Sequence, residues 1–212
     1  MRICNAVLLF TLLLWVDPAG AQKEYSLTVS IHKEVRPLSE KSVEKIFARA
    51  SDLLRRNGCD VKFKLDGPIQ TFTSAPAHIK DASGLEAVHS VAADIKIVKK
   101  INFCVGKYDK VGFIGCSWRP ERRPKTVIVT TGPRVGNLHH ILWAHEFGHT
   151  TGLMHRIDEN EEALMTPCDI QAFSRVVDEH ECRHFLAGPV RHYPPGLGPA
   201  CPKNSAARRR AD

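Results

Sequence analysis

Much of what would place this chain in a bilayer, on nucleic acid or around a cysteine-bound ion is missing from it. Past residue 16 no stretch is apolar enough to span a membrane. No C-x-x-C pair occurs, which argues against a cysteine-rich structural zinc site. No internal repeat is visible, so solenoid and propeller architectures are excluded. Basic residues outnumber acidic ones, 30 to 23, for a formal charge of +7. Yet Lys99-Lys100, Arg122-Arg123 and Arg208-Arg209-Arg210 are scattered and match no nucleic-acid motif, so they read as solvated surface.

What apolar excess there is lies at the start. Arg2, an apolar run over residues 3–16 and the small-residue site Ala19-Gly20-Ala21 read as a signal peptide covering 1–21. The expectation is an exported protein, extracellular or periplasmic, beginning at Gln22. Six cysteines remain after the leader, an even number that suits disulfides. Local loop closure favours Cys104–Cys116 and Cys168–Cys182, which leaves Cys59–Cys201 by elimination. Residues 22–187 suit one domain, and the Pro/Gly-rich basic segment 188–212 reads as a poorly ordered tail. A monomer is expected.

Residues 25–32 place Leu27, Val29 and Ile31 on one strand face. Leu38-Ser39 then starts a helix whose apolar positions (Val43, Phe47, Ala50, Leu54) recur at helical spacing up to Asn57-Gly58. Val61, Phe63 and Leu65 alternate again, so the chain opens with a βαβ unit and a parallel strand pair. Residues 83–91 form a short helix, 95–105 a third strand, 112–118 a glycine-flanked strand and 125–130 a buried one. Asn137 is placed to cap a helix over 138–151, and residues 174–186 make the last helix.

The helix over 138–151 carries the chemistry. It contains most of His145-Glu146-Phe147-Gly148-His149-Thr150-Thr151-Gly152-Leu153-Met154-His155. His145 and His149 fall one turn apart on one face, where two imidazoles share a metal ion. Glu146 beside them serves as a general base. Gly152 supplies the positive φ that ends the helix, so that His155 swings back as third ligand. Three protein ligands and an open fourth position describe a catalytic zinc site with one ion. Ala163-Leu164-Met165-Thr166-Pro167 follows.

This pattern resembles the metzincin metallopeptidases, whose signature is H-E-x-x-H-x-x-G-x-x-H followed by a methionine turn. The wording of residues 143–149 and of the Ala-Leu-Met-x-Pro turn is most similar to matrixins. The resemblance rests on residues 138–167. Arg156, directly after the third histidine, is a departure. No Gly/Asp-rich calcium loop stands upstream, so calcium is not supported. No tyrosine stands two residues past Met165, which leaves an astacin-type tyrosine ligand unsupported.

The resemblance implies an α/β (α+β) fold with a twisted, mixed, five-stranded sheet and two long helices above a cleft. The division falls at Gly152, into parts 22–152 and 153–187, the second small and irregular with the methionine turn and one helix. It further implies a zinc-dependent endopeptidase acting on peptide or protein substrates. His145, His149 and His155 bind the metal, Glu146 handles protons, and Met165 supports the site from below. Residues 112–118 read equally as the edge strand that holds extended substrate and as a plain edge strand. His139 and His140 read as extra surface or core residues, and His78, His89, His180, His184 and His192 as structural. The acidic run at 158–162 reads as a solvated loop. Two alternatives belong to other classes: a non-catalytic secreted binding or adhesion module that keeps zinc, and a zinc hydrolase of other substrates, such as peptidoglycan peptides.

Overall fold

The computed structural model describes residues 22–104, 107–117, 127–132, 135–156, 160, 162–166 and 174–190. The expected leader, Cys168, Cys201, His192, most of the acidic run and the tail beyond residue 190 lie outside them. The fold is mixed α/β. Its first strands are β1 (Lys23–Leu27) and β2 (Val29–His32), followed by helix α1 (Glu40–Arg56) and strand β3 (Val61–Leu65). β1 and β3 pair in parallel with Tyr25 opposite Phe63, as the βαβ reading requires. α1 begins where Ser39 accepts a hydrogen bond from the Ser42 N–H. It stops at Asn57, and Gly58 turns the chain at φ +81°.

Alternation over 25–32 suggests one strand, but the structure divides it at Thr28. Asp94 accepts from both the amide and the hydroxyl of Thr28, at 2.9 and 2.8 Å, and returns its own N–H to that hydroxyl. At this clasp the chain leaves β3 and takes new neighbours. β4 (Gln70–Phe72) and β6 (Ile95–Val98) flank β2 in parallel; β10 (Val127–Thr130) adds in parallel, and β9 (Gly115–Cys116) closes the edge antiparallel. The sheet is thus mixed and five-stranded, in the order β4-β2-β6-β10-β9. Residues 61–65 stand outside it, and residues 70–72, which carry no strand signal, take an edge.

The strand expected over 95–105 also splits. Its second half, β7 (Lys100–Cys104), joins a separate sheet with β5 (His78–Ile79) and β8 (Lys107–Phe113). Helix α2 (Ala82–His89) packs on that side. β6 and β10 are buried on both faces; β10 accordingly runs Val-Ile-Val-Thr without apolar/polar alternation, whereas β6 carries the fully buried Lys96 between Ile95 and Ile97. Ile95, Ile97, Val127 and Val129 face the main core, with Phe47, Ile141 and Phe147 from the helices. Val98 and Ile128 face a second core with Ile79, Leu85 and Val88. Each such side chain contributes roughly 1.5–3 kcal/mol by leaving water.

The helices after the sheet are α3 (His139–Thr150), entered through a 3-10 turn at Gly136–Leu138, and α4 (Glu179–Ala187). Asn137 does not cap α3: it lies inside the 3-10 turn, and no side chain caps the helix. The last helix starts later than residue 174, at Asp178, which forms a capping box with Glu181. Residues 174–177 lie outside the helix, with Val176 bridging Ala163. Residues 188–190 also belong to the fold. The Val190 N–H reaches the Thr150 carbonyl, and Gly188, at φ +89°, lets the chain pass the Tyr25 hydroxyl.

Cys104–Cys116 is present as expected. The other two pairings are not, because Cys182 is bonded to Cys59. Short loops close most readily in an unfolded chain, but packing decides the native distances. Here α4 brings Cys182 to 5.4 Å, Cα to Cα, from the residue after the Gly58 turn. No helix among the described residues is long and apolar enough to cross a membrane.

Candidate metal centre

From Ile141 to Thr150 every residue of α3 is buried, so polar side chains there need partners inside the protein. His145 and His149 find them through Nδ1. That of His145 lies 2.7 Å from the Leu164 carbonyl and that of His149 2.8 Å from the Leu153 carbonyl. A carbonyl only accepts, so each Nδ1 carries the proton and each Nε2 is left with a bare lone pair. Thr151 ends α3, and Gly152 at φ +91° reverses the chain. His155 returns to the helix with its Nε2 at 3.2 Å from that of His149 and 3.3 Å from that of His145.

Those distances bear directly on whether an ion fits. Tetrahedral zinc with bonds of about 2.05 Å to nitrogen holds its ligands about 3.3 Å apart. Lone pairs facing one another at that range repel unless a cation lies among them, so the donor set suits a metal ion. His145, His149 and His155 are the group of three among the described residues that could hold one. Burial drives the His145 imidazole well below its ordinary pKa, helped by the charges of His149 and His155. Burial lowers His149 too, and brings His155 to about 3, assisted by His149 and Lys107. Neutral imidazoles are the form that binds metal.

Glu146 stands beside the triad and is buried. Burial pushes its carboxyl up to about 8, with a hydrogen bond from Ser117 pulling the other way. The Ser117 hydroxyl lies 2.7 Å from Glu146 Oε2 and 2.8 Å from its backbone oxygen. Gly115 supplies the room: a Cβ there would fall 2.1 Å from Glu146 Oε1. Gly115 lies on the edge strand β9 and Ser117 directly after it, so this segment runs against the carboxylate; the single strand expected over 112–118 is divided, because residues 112–113 end β8 in the other sheet.

Met165 is fully buried beneath α3. A Cβ on Gly148 would lie 2.7 Å from its sulfur and 3.1 Å from Phe185, so the helix rests on the methionine turn through a glycine. The turn is tied to the histidines from both sides, since Leu164 receives His145 and the Met165 carbonyl receives the Arg156 N–H at 2.9 Å. The Arg156 side chain then grips Glu181 with two hydrogen bonds, at 2.8 and 3.0 Å, and Asp178 at 2.9 Å. The unusual residue after the third histidine therefore locks the turn to the start of α4.

The structure thus brings together all the residues singled out in the motif: His145, Glu146, His149, Gly152, His155 and Met165. It keeps His78 apart, bonded to Asn102 on β7. Sequence reasoning missed Ser117, Gly115 and Gly148, as well as the part played by Arg156. Nothing in the spacing links position 117 to position 146, although Ser117 does fall inside the glycine-flanked segment.

No protein-family model matches the chain, and no curated protein matches its sequence. Among solved structures it is similar to metalloproteinase-II from Bacteroides fragilis, with a TM-score of 0.48 and 17% identity over 79% of this chain and 54% of that one. The chain spans about half the length of that structure. It is also similar to archaemetzincin from Methanopyrus kandleri, with a TM-score of 0.43 and 14% identity over 92% of this chain and 98% of that one.

Proposed function

We propose that this chain is an exported zinc-dependent metallopeptidase that cleaves peptide bonds within protein or peptide substrates. One observation carries the reading: His155 Nε2 stands 3.2 and 3.3 Å from Nε2 of His149 and His145, with a buried carboxylate on the residue after His145. His145, His149 and His155 would hold the ion. Zinc bound there acidifies water and polarises the carbonyl of the scissile bond. Glu146 takes the proton of the attacking water and delivers it to the leaving nitrogen, first as base and then as acid. Burial raises the affinity of the carboxyl for that proton. Ser117 and Gly115 fix where it can stand.

β9 ends the five-stranded sheet beside Glu146, which supports extended substrate adding along this edge. The metzincin signature, with a matrixin-like wording around it, supports the same reading, as do the even cysteines and the leader at 1–21. Two measurements together test it: metal analysis of the purified protein and cleavage of a quenched random-peptide library. One zinc per chain with cleavage is expected, and Glu146→Ala should keep zinc and lose cleavage. Full activity in Glu146→Ala sinks the mechanism. Zinc without any cleavage points instead to the non-catalytic binding module.

A further inference from the structure

We propose that His180 and His184 on α4 form a second, two-histidine site for a divalent transition-metal ion, distinct from the triad on α3. The two are one helical turn apart, and their rings stand 4.7 Å apart between centroids. His145 and His149 share this spacing, at 4.8 Å, with their rings at 90° where those of the α4 pair stand at 60°. The likeness extends to the second nitrogen. His184 Nδ1 lies 2.8 Å from the Thr151 carbonyl, just as the two α3 histidines face carbonyls of the chain that follows their helix. Nδ1 therefore holds the proton and Nε2 the lone pair, and the ring is oriented before any ion arrives, as metal-binding histidines require.

His180 is exposed and His184 half-buried, so an ion reaches the pair from solvent. The neighbouring Arg183 is engaged with Glu179 at 2.8 Å, which reduces its repulsion of a cation. Two protein ligands with water completing the shell bind more weakly than three converging ones. Imidazole pairs favour copper, nickel and zinc over calcium and magnesium. Because His184 also packs at Gly152, 3.6 Å from where a Cβ would stand, an ion here would brace the turn that delivers His155.

The test counts ions in the full chain after dialysis against excess zinc. His180→Asn carries it, since that side chain is exposed and its loss spares the bond to Thr151; His184→Asn is the companion. Each variant should hold one ion fewer per chain than the parent, and zinc should raise the melting temperature of the parent more than that of His180→Asn. Equal ion counts in parent and both variants overturn the proposal. The difference does not depend on cleavage or on occupancy of the triad, so it fails or stands separately from the peptidase reading.

Discussion

The hydroxyl of Ser117 sits 2.7 Å from Oε2 of Glu146 and 2.8 Å from the backbone oxygen of the same residue, and both residues are buried. A residue on the sheet edge thereby positions a side chain on the central helix. Hydrogen bonds to a charged group contribute about 1.5–3 kcal/mol. Ser117→Ala should lower kcat roughly 10- to 100-fold while leaving zinc content intact. Steady-state kinetics with metal analysis checks this, and Ser117→Thr should recover part of the loss. An unchanged kcat in Ser117→Ala would show that the contact is only structural.

Arg156 should matter for stability more than for turnover. It is the half-buried partner of Glu181, whose side chain is 4% exposed. Arg156→Met strands that carboxylate without its cation, at a cost of about 3–5 kcal/mol. Arg156→Lys keeps the charge but cannot make the two-pronged contact, so it should fall between. Urea denaturation of the three proteins would rank them.

His89 on α2 gives the fold an acid-side weakness. Burial, with the charge of Lys96, brings its pKa down to about 3. In the unfolded chain the value is about 6.5. The unfolded state therefore binds more protons between these values, and stability falls as pH drops through that window. His89→Leu should reduce the slope of stability against pH there by about 1.4 kcal/mol per pH unit at most. Equal slopes in parent and variant would contradict the assignment.

The Cys59–Cys182 bridge closes a separation of 123 residues between the end of α1 and α4. On the chain-entropy model a loop of that size is worth about 5 kcal/mol. Cys59→Ser together with Cys182→Ser should lower the melting temperature sharply, whereas the short Cys104–Cys116 loop should contribute less. Calorimetry on the two double variants would compare them. Peptide mapping of the parent would identify the bonded pair directly.

Legibility followed the range of the interaction. α1 could be read with its cap and stop because Ser39, Asn57 and Gly58 act within a few residues of the helix they bound. The histidine motif could be read for the same reason: i, i+4 geometry and one glycine turn are local. The split at Thr28 could not, since it depends on Asp94, 66 residues away. Nor could residues 70–72, whose pairing comes from the neighbour β2 and not from their own pattern.

The sequence alone determined the three imidazoles, the carboxylate beside them and the turn that joins them, because His145, Glu146 and His149 lie on one helix and a single glycine turn separates them from His155. The tertiary structure decided what holds them: Ser117 and Gly115 against Glu146, Leu164 behind His145, Met165 under Gly148, and Cys59 joined to Cys182. Those contacts arise only when the sheet edge, the methionine turn and α4 pack on α3. Burial then removes water, and the Nδ1 atoms of His145 and His149 and the Ser117 hydroxyl take the partners that the fold brings to them.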